Sequence, residues 1–142
     1  MYKSILLPVD LNQESSWKKA APVAVHLAQT LSAKIHVITV IPDYGMAVVG
    51  SFFPANYESE AIKNAQAALD DFVNKNLPAD LVADATVAHG TIYQEVISAA
   101  NAKGCDLIVL SSHRPETKDY LLGPNAARVV RHANQSVFVV RD

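Results

Sequence analysis

Cysteine is almost missing from this chain: Cys105 stands alone among 142 residues. A lone thiol has no internal partner for a disulfide, which points to the reducing cytoplasm. Long hydrophobic runs are lacking too. No stretch approaches the roughly 18 apolar residues of a membrane-spanning helix, so no membrane association is expected. Ile5–Val9 is too short for a secretory core and is followed by Asp10. Charge of one sign is also absent. Lys and Arg number 12 against 14 Asp and Glu, for a net charge of −2, whereas a nucleic-acid surface normally needs a basic excess. The phosphate-cradling G-x4-G-K-[S/T] motif and the nucleophile motif G-x-S-x-G do not occur. His26, His36, His89 and His132 show no H-x3-H spacing, so no metal site is assigned. His113 has no nucleophile and acid in triad order, and no catalytic residue is assigned.

Hydrophobic residues make up 50% of the chain and charged residues 18%, a balance that suits a soluble globular protein. The length accommodates one core, so a single domain over residues 1–142 is expected. Lys3–Asp10 reads as a buried strand ending in an acid, with Pro8 tolerated only near that end. Ser15 or Ser16 to Leu31 reads as a helix with Trp17, Ala20, Ala21, Ala24, Leu27, Ala28 and Leu31 on one face. Pro22 should bend it or delay its start. Lys34–Val40 is a second strand, and Tyr57–Asn76 a second helix stopped by Leu77-Pro78. Leu81–Ala88 has the mixed polarity of an edge strand. His89-Gly90-Thr91 turns the chain. Thr91 and Gln94 have capping-box spacing, and a third helix runs to Gly104 as its C-terminal cap. Between Pro42 and Asn56 lies a long irregular stretch, apolar for a loop, read as a functional segment or a flap on the core.

The chain's last third carries the densest signal. Leu107–Leu110 is an unbroken apolar run, as in a strand buried on both faces. Ser111, Ser112, His113 and Arg114 follow it, at the strand end where open α/β sheets bind ligands. Pro124 suits a first helical position, with Gly123 as cap. Ala126, Val129, Val130 and Ala133 then repeat at the spacing of a helix face packed on a sheet. That helix would aim its positive end at Ser111–Arg114. The N–H groups of Gly123, Asn125 and Ala126, the hydroxyls and a guanidinium would suit phosphate. The plain structural alternative is a polar loop before a well-capped helix. Ser136–Arg141 is a closing β-branched and aromatic strand. Five strands alternating with four helices imply an α/β fold. It is an open, twisted, Rossmann-like parallel sheet with right-handed crossovers and helices on both faces.

Ser112-His113-Arg114-Pro115 and the segment Tyr120 to Ala133, YLLGPNAARVVRHA, resemble a branch of the universal stress proteins. The family's loop commonly reads G-x2-G-x9-G-[S/T] and binds ATP in many members. Here Ser111 and Arg114 stand at the first two glycines, the gap to Gly123 is shorter by one, and Pro124 replaces the Ser or Thr. The resemblance implies strand order 3-2-1-4-5, with strands one and four side by side. It places Pro8, Val9 and Val40 against adenine. It gives Asp10 an adenine, ribose or Mg2+-linked contact and puts Gly90 near the ribose. Ser111, Ser112, His113, Arg114, Gly123, Asn125 and Ala126 would then hold phosphate. Ordinary core and turn roles account for the same residues without a ligand.

The function so implied is regulatory binding of ATP or ADP, with Mg2+ as a possible companion ion, in a stress response. Any ATP hydrolysis or self-phosphorylation would be slow. The alternative is a dimeric interaction module without nucleotide. Under either reading Ser136–Val140, an apolar edge strand in the implied order, is expected to pair with its twin in a homodimer.

Overall fold

Alternate side chains along each strand divide between two faces, and that alternation builds two cores around one sheet. The computed structural model describes residues 1–42, 57–112 and 122–141; in the helices it leaves aside the side chains at 57, 58 and 122–124. The strands are β1 (Ser4–Pro8), β2 (Lys34–Pro42), β3 (Val82–Gly90), β4 (Leu107–Ser112) and β5 (Ser136–Arg141). All neighbours pair in parallel, in the order β3-β2-β1-β4-β5. The helices are α1 (Ala20–Leu31), α2 (Tyr57–Asn76), α3 (Ile92–Ala102) and α4 (Leu122–His132), with 3-10 turns at Glu14–Ser16 and Ala79–Leu81. On one face Ile5, Leu7, Ile35, Val37, Leu107 and Val109 meet Ala20, Ala24 and Ala28 of α1 and Leu69 and Phe72 of α2. On the other, Leu6, Ile38, Ile108 and Leu110 meet Ile92, Val96 and Ala100 of α3 and Ala126 and Val129 of α4. The expected five-stranded sheet with helices on both faces is thus observed, and β3 takes the edge that its mixed polarity suggested.

Several local expectations change. Helix α1 begins at Ala20 rather than Ser15 or Ser16. Pro22 therefore lies in its first turn, where a missing N–H removes no helical bond. Trp17 precedes α1 and meets Phe72 edge-to-face at 5.0 Å between centroids. Helix α4 begins at Leu122, so Gly123 and Pro124 lie inside its first turn and not before it. Val130 is not on the buried stripe; it is 51% exposed. The Thr91–Gln94 capping box does not form, because Thr91 makes no side-chain cap. Asn125 of α4 supplies the cap instead: its Oδ1 accepts the Tyr93 N–H at 3.1 Å.

The close of α3 follows expectation. Gly104 is left-handed at φ +65°. Its N–H reaches the Asn101 carbonyl, and the Cys105 N–H reaches that of Ala100. That is the paired bonding of a Schellman motif. Helix α1 also ends on a left-handed residue, Ser32 at φ +55°, but there the N–H groups of Ser32 and Ala33 both reach the Ala28 carbonyl; the conformation costs a non-glycine residue about 1 kcal/mol. Ser32→Gly is expected to stabilise the protein by about 0.5 kcal/mol, the relief being partly offset by a more mobile unfolded chain. Thermal unfolding of the two proteins checks this.

At the amino end of the sheet, Asp84 accepts from Lys103 Nζ at 2.9 Å and lies 3.0 Å from His36 Nδ1. Burial alone would raise the Asp84 pKa, but the bonds to Lys103 and His36 outweigh it and hold it below the ordinary value. A depressed carboxylate stabilises the fold above its unfolded pKa and loses that contribution as pH falls through the folded one. Asp84→Asn should therefore cost about 1 kcal/mol at neutral pH, a figure kept low because Asp84 is 40% exposed. The gap to the native protein should close below about pH 4 in urea unfolding. Beside this cluster, burial pushes the Cys105 thiol up to about 11, with Asp84 adding to the shift.

Candidate functional site

Strand order reverses between β1 and β4, which have their next neighbours on opposite sides. Such a switch point opens a crevice at the carboxyl ends of the strands. Here β1 and β4 pair only at Ile5–Leu107 and Leu6–Ile108. Beyond those pairs the β1–β4 ladder does not continue to Leu7 and Pro8. Pro8 contributes to this, since it has no N–H to donate.

The crevice floor follows from β1. Val9 is buried, and its N–H donates to the Ile38 carbonyl at 2.8 Å, carrying the β1–β2 pairing past Pro8. Asp10 comes next and is 5% exposed. The Ser16 hydroxyl closes a turn on it. Ser16 Oγ accepts the Asp10 N–H at 2.9 Å and donates to the Asp10 carbonyl at 3.0 Å. Asp10 Oδ1 accepts the Asn12 N–H at 3.0 Å. Its Oδ2 is buried with no hydrogen-bond partner among the described residues. Burial raises the Asp10 pKa, and the Asn12 bond only partly opposes this. An ionisable oxygen left bare in the interior is costly, and such groups concentrate at functional sites.

On β4 the two serines separate. Ser111 continues the alternation of Leu107 and Val109 toward the α1 and α2 face, and its hydroxyl donates to the Ser15 carbonyl at 3.0 Å. Ser112 follows Ile108 and Leu110 toward the face that carries α3 and α4. Val40, at the corresponding end of β2, packs on that same face. The two helices begin at this end of the sheet, joined by Asn125. Gly90 pairs with Pro42 at the end of β3 and takes φ +145°. A Cβ there would meet Glu95 Oε1 at 2.7 Å.

The structure thus gathers Pro8, Val9, Asp10, Val40, Gly90, Ser111 and Ser112 at one end of the sheet, with the start of α4 nearby. It uses some of them differently from the expectation. Ser111 and Asn125 hold the protein's own backbone, and Ala126 puts its side chain into the core. With α4 starting at Leu122, the Ala126 N–H joins the helical ladder, and the open donors shift toward Leu122 and Gly123. His113, Arg114 and most of the Pro42–Asn56 stretch lie outside the described residues. Sequence reasoning missed Ser15, Ser16 and Glu95. A serine pair before a helix hints at capping, but nothing local says that the turn folds back on Asp10.

Comparison with known proteins bears on this geometry. The family model described as "Universal stress protein family" matches residues 1–141. Universal stress protein G of Shigella flexneri is 33% identical, covering 99% of this chain and 100% of its own. Among solved structures, universal stress protein UspA from Lactobacillus plantarum superposes with a TM-score of 0.67 at 25% identity, covering 99% of this chain and 98% of that one. A universal stress protein from Archaeoglobus fulgidus, solved in complex with dAMP, has a TM-score of 0.60 at 15% identity, each chain covered to 97%. Another, solved in complex with cAMP, has a TM-score of 0.60 at 19% identity, covering 99% and 97%. A family-model match to residues 1–141, with a relative 33% identical along 99% of the chain, means that the chain belongs to the universal stress protein family.

Proposed function

We propose that this protein binds an adenine nucleotide, ATP or ADP, in the crevice between β1 and β4, and that binding serves regulation in the cytoplasm. The observation that carries this reading is Asp10 Oδ2, buried at the switch point and without a partner among the described residues. A carboxylate oxygen in that position calls for a donor. Ribose hydroxyls and the adenine amino group are donors, and a hydrated Mg2+ is another. Pro8, Val9 and Val40 offer apolar surface for a purine face, with Gly90 near the ribose. Ser112 and the first turn of α4, with Gly123 and Asn125, lie at the end of the crevice where phosphates would sit; His113 and Arg114, outside the described residues, would add donors there. The complexes of related proteins with dAMP and cAMP support the ligand class. The reading assigns no catalytic residue, so hydrolysis or self-phosphorylation would be slow at most. Equilibrium dialysis against ATP and ADP, with and without Mg2+, tests it. Saturable binding well below millimolar ligand is expected, and none at millimolar rejects it.

A second reading, a dimeric interaction module without nucleotide, draws on two observations. The Ser111 hydroxyl is committed to Ser15, and Pro124 takes a donor from the first turn of α4. Self-association fits both readings. Strand β5 stands at the edge of the sheet, and its Phe138 is 45% exposed. Pairing through Ser136–Val140 with a second copy would cover that edge. Sedimentation should show a dimer at micromolar concentration; monomer alone would refute it.

A further inference from the structure

The proposed nucleotide site leaves one question open: what fixes the direction of the bare Asp10 oxygen. Asp10 lies past the end of β1, so the sheet does not hold its side chain. The turn from Asp10 to Ser16 does. Four of its inner bonds converge on Asp10: the Ser16 hydroxyl on its N–H and carbonyl, the Gln13 N–H on its carbonyl, and the Asn12 N–H on Oδ1; the Ser16 N–H closes the turn on the Gln13 carbonyl. These bonds shape the turn but do not attach it to the far side of the crevice. The described residues show one side-chain hydrogen bond from β4 that does so, from Ser111 Oγ to the Ser15 carbonyl. Ser111 is 3% exposed and Ser15 half-buried, so solvent has limited access to this bond. It links β4 to the turn that follows β1, beyond the last β1–β4 pair.

We propose that Ser111 is a positioning residue for the nucleotide site, tying the Glu14–Ser16 turn to the end of β4 and thereby aiming Asp10 Oδ2 into the crevice. This rests on the nucleotide reading above, but its structural half stands apart from it. A serine here acts where the common family loop has a glycine that carries no side chain. Loss of the hydroxyl frees Ser15 and lets the turn, with Asp10, move away from β4 and admit water.

The test is a double-mutant cycle with a second readout on Asp10 itself. Ser111→Ala should weaken ATP binding about tenfold, as expected for loss of an oriented charged contact. In an Asp10→Asn background it should change affinity less than twofold. Independently of nucleotide, the carboxyl carbon of Asp10, followed by NMR, should titrate nearer the ordinary aspartate range in Ser111→Ala than in the native protein. Ser111→Gly, which also lacks the hydroxyl, replaces the alanine variant if that one does not fold. Unchanged affinity, an equal loss in the Asp10→Asn background, or an unmoved Asp10 titration would each overturn the proposal. If the native protein binds no nucleotide, the nucleotide reading falls, and the Asp10 titration alone decides whether Ser111 positions that carboxylate.

Discussion

Asp10→Asn is expected to make the protein more stable at neutral pH and a poorer binder of ATP. The two effects have one cause. Asp10 is 5% exposed and its Oδ2 has no partner among the described residues, so burial raises its pKa above the ordinary value. For a carboxyl of this kind the folded state holds its proton more tightly than the unfolded chain. Its stabilising contribution is complete below the unfolded pKa and is lost as pH rises through the folded one. Above that folded pKa the native fold therefore carries a buried charge that asparagine lacks. Asparagine keeps an oxygen for the Asn12 N–H but leaves an amide donor with no partner, which limits the gain. A net gain of about 1 kcal/mol follows, or roughly 3–5 °C in melting temperature. The difference should vanish in acid, where Asp10 is protonated. ATP affinity should fall about ten- to a hundredfold, since a charged acceptor is lost. A gain in stability coupled to a loss of binding is the signature of a residue kept for a ligand. Calorimetric melting as a function of pH, with ATP titration of both proteins, checks both halves.

Gly90→Ala should have the larger cost in stability, about 2–3 kcal/mol. The backbone there has φ +145°, a region that residues with a Cβ rarely occupy. The added methyl would also stand 2.7 Å from Glu95 Oε1 and 3.2 Å from its Cγ. The carboxylate can swing away; the backbone angle cannot be relieved without moving the end of β3 from Pro42, its partner on β2. Adding Glu95→Ala to Gly90→Ala should therefore recover the steric share of the loss, under half of it, and leave the rest. Urea unfolding of the single and double variants separates the two. Full recovery would assign the glycine to side-chain space rather than to backbone angle.

The sheet was legible in the sequence because its strands are unbroken apolar runs spaced by helical periods, and period is a local property. Leu107–Leu110 and Ile5–Leu7 could hardly be anything else. Helix ends were less legible. The capping spacing of Thr91 and Gln94 is local, but the start of α3 is satisfied by Asn125, far along the chain. A local pattern cannot show that a distant side chain has taken a donor. The same limit applies at the site. Asp10 was visible as an acid closing a strand, and Gly90 as a turn. That Ser111 faces Ser15 and away from α4 depends on which face of β4 it occupies and on a turn crossing between strands. Strand alternation from Leu107 gives the face; the crossing turn is tertiary. The expected phosphate role of Ser111 gives way for that reason, while Ser112 is left on the side of α4.

Nucleotide is expected to enter the crevice beside Asp10. Backbone amide shifts of the native protein, followed by NMR as ATP is added, test this most directly. The account predicts saturating shifts concentrated at Val9, Asp10, Val40, Gly90, Ser112 and the first turn of α4, with little change around His36, Asp84 and Lys103. No saturating shift at millimolar ATP, or shifts gathered at that opposite end of the sheet, would contradict it.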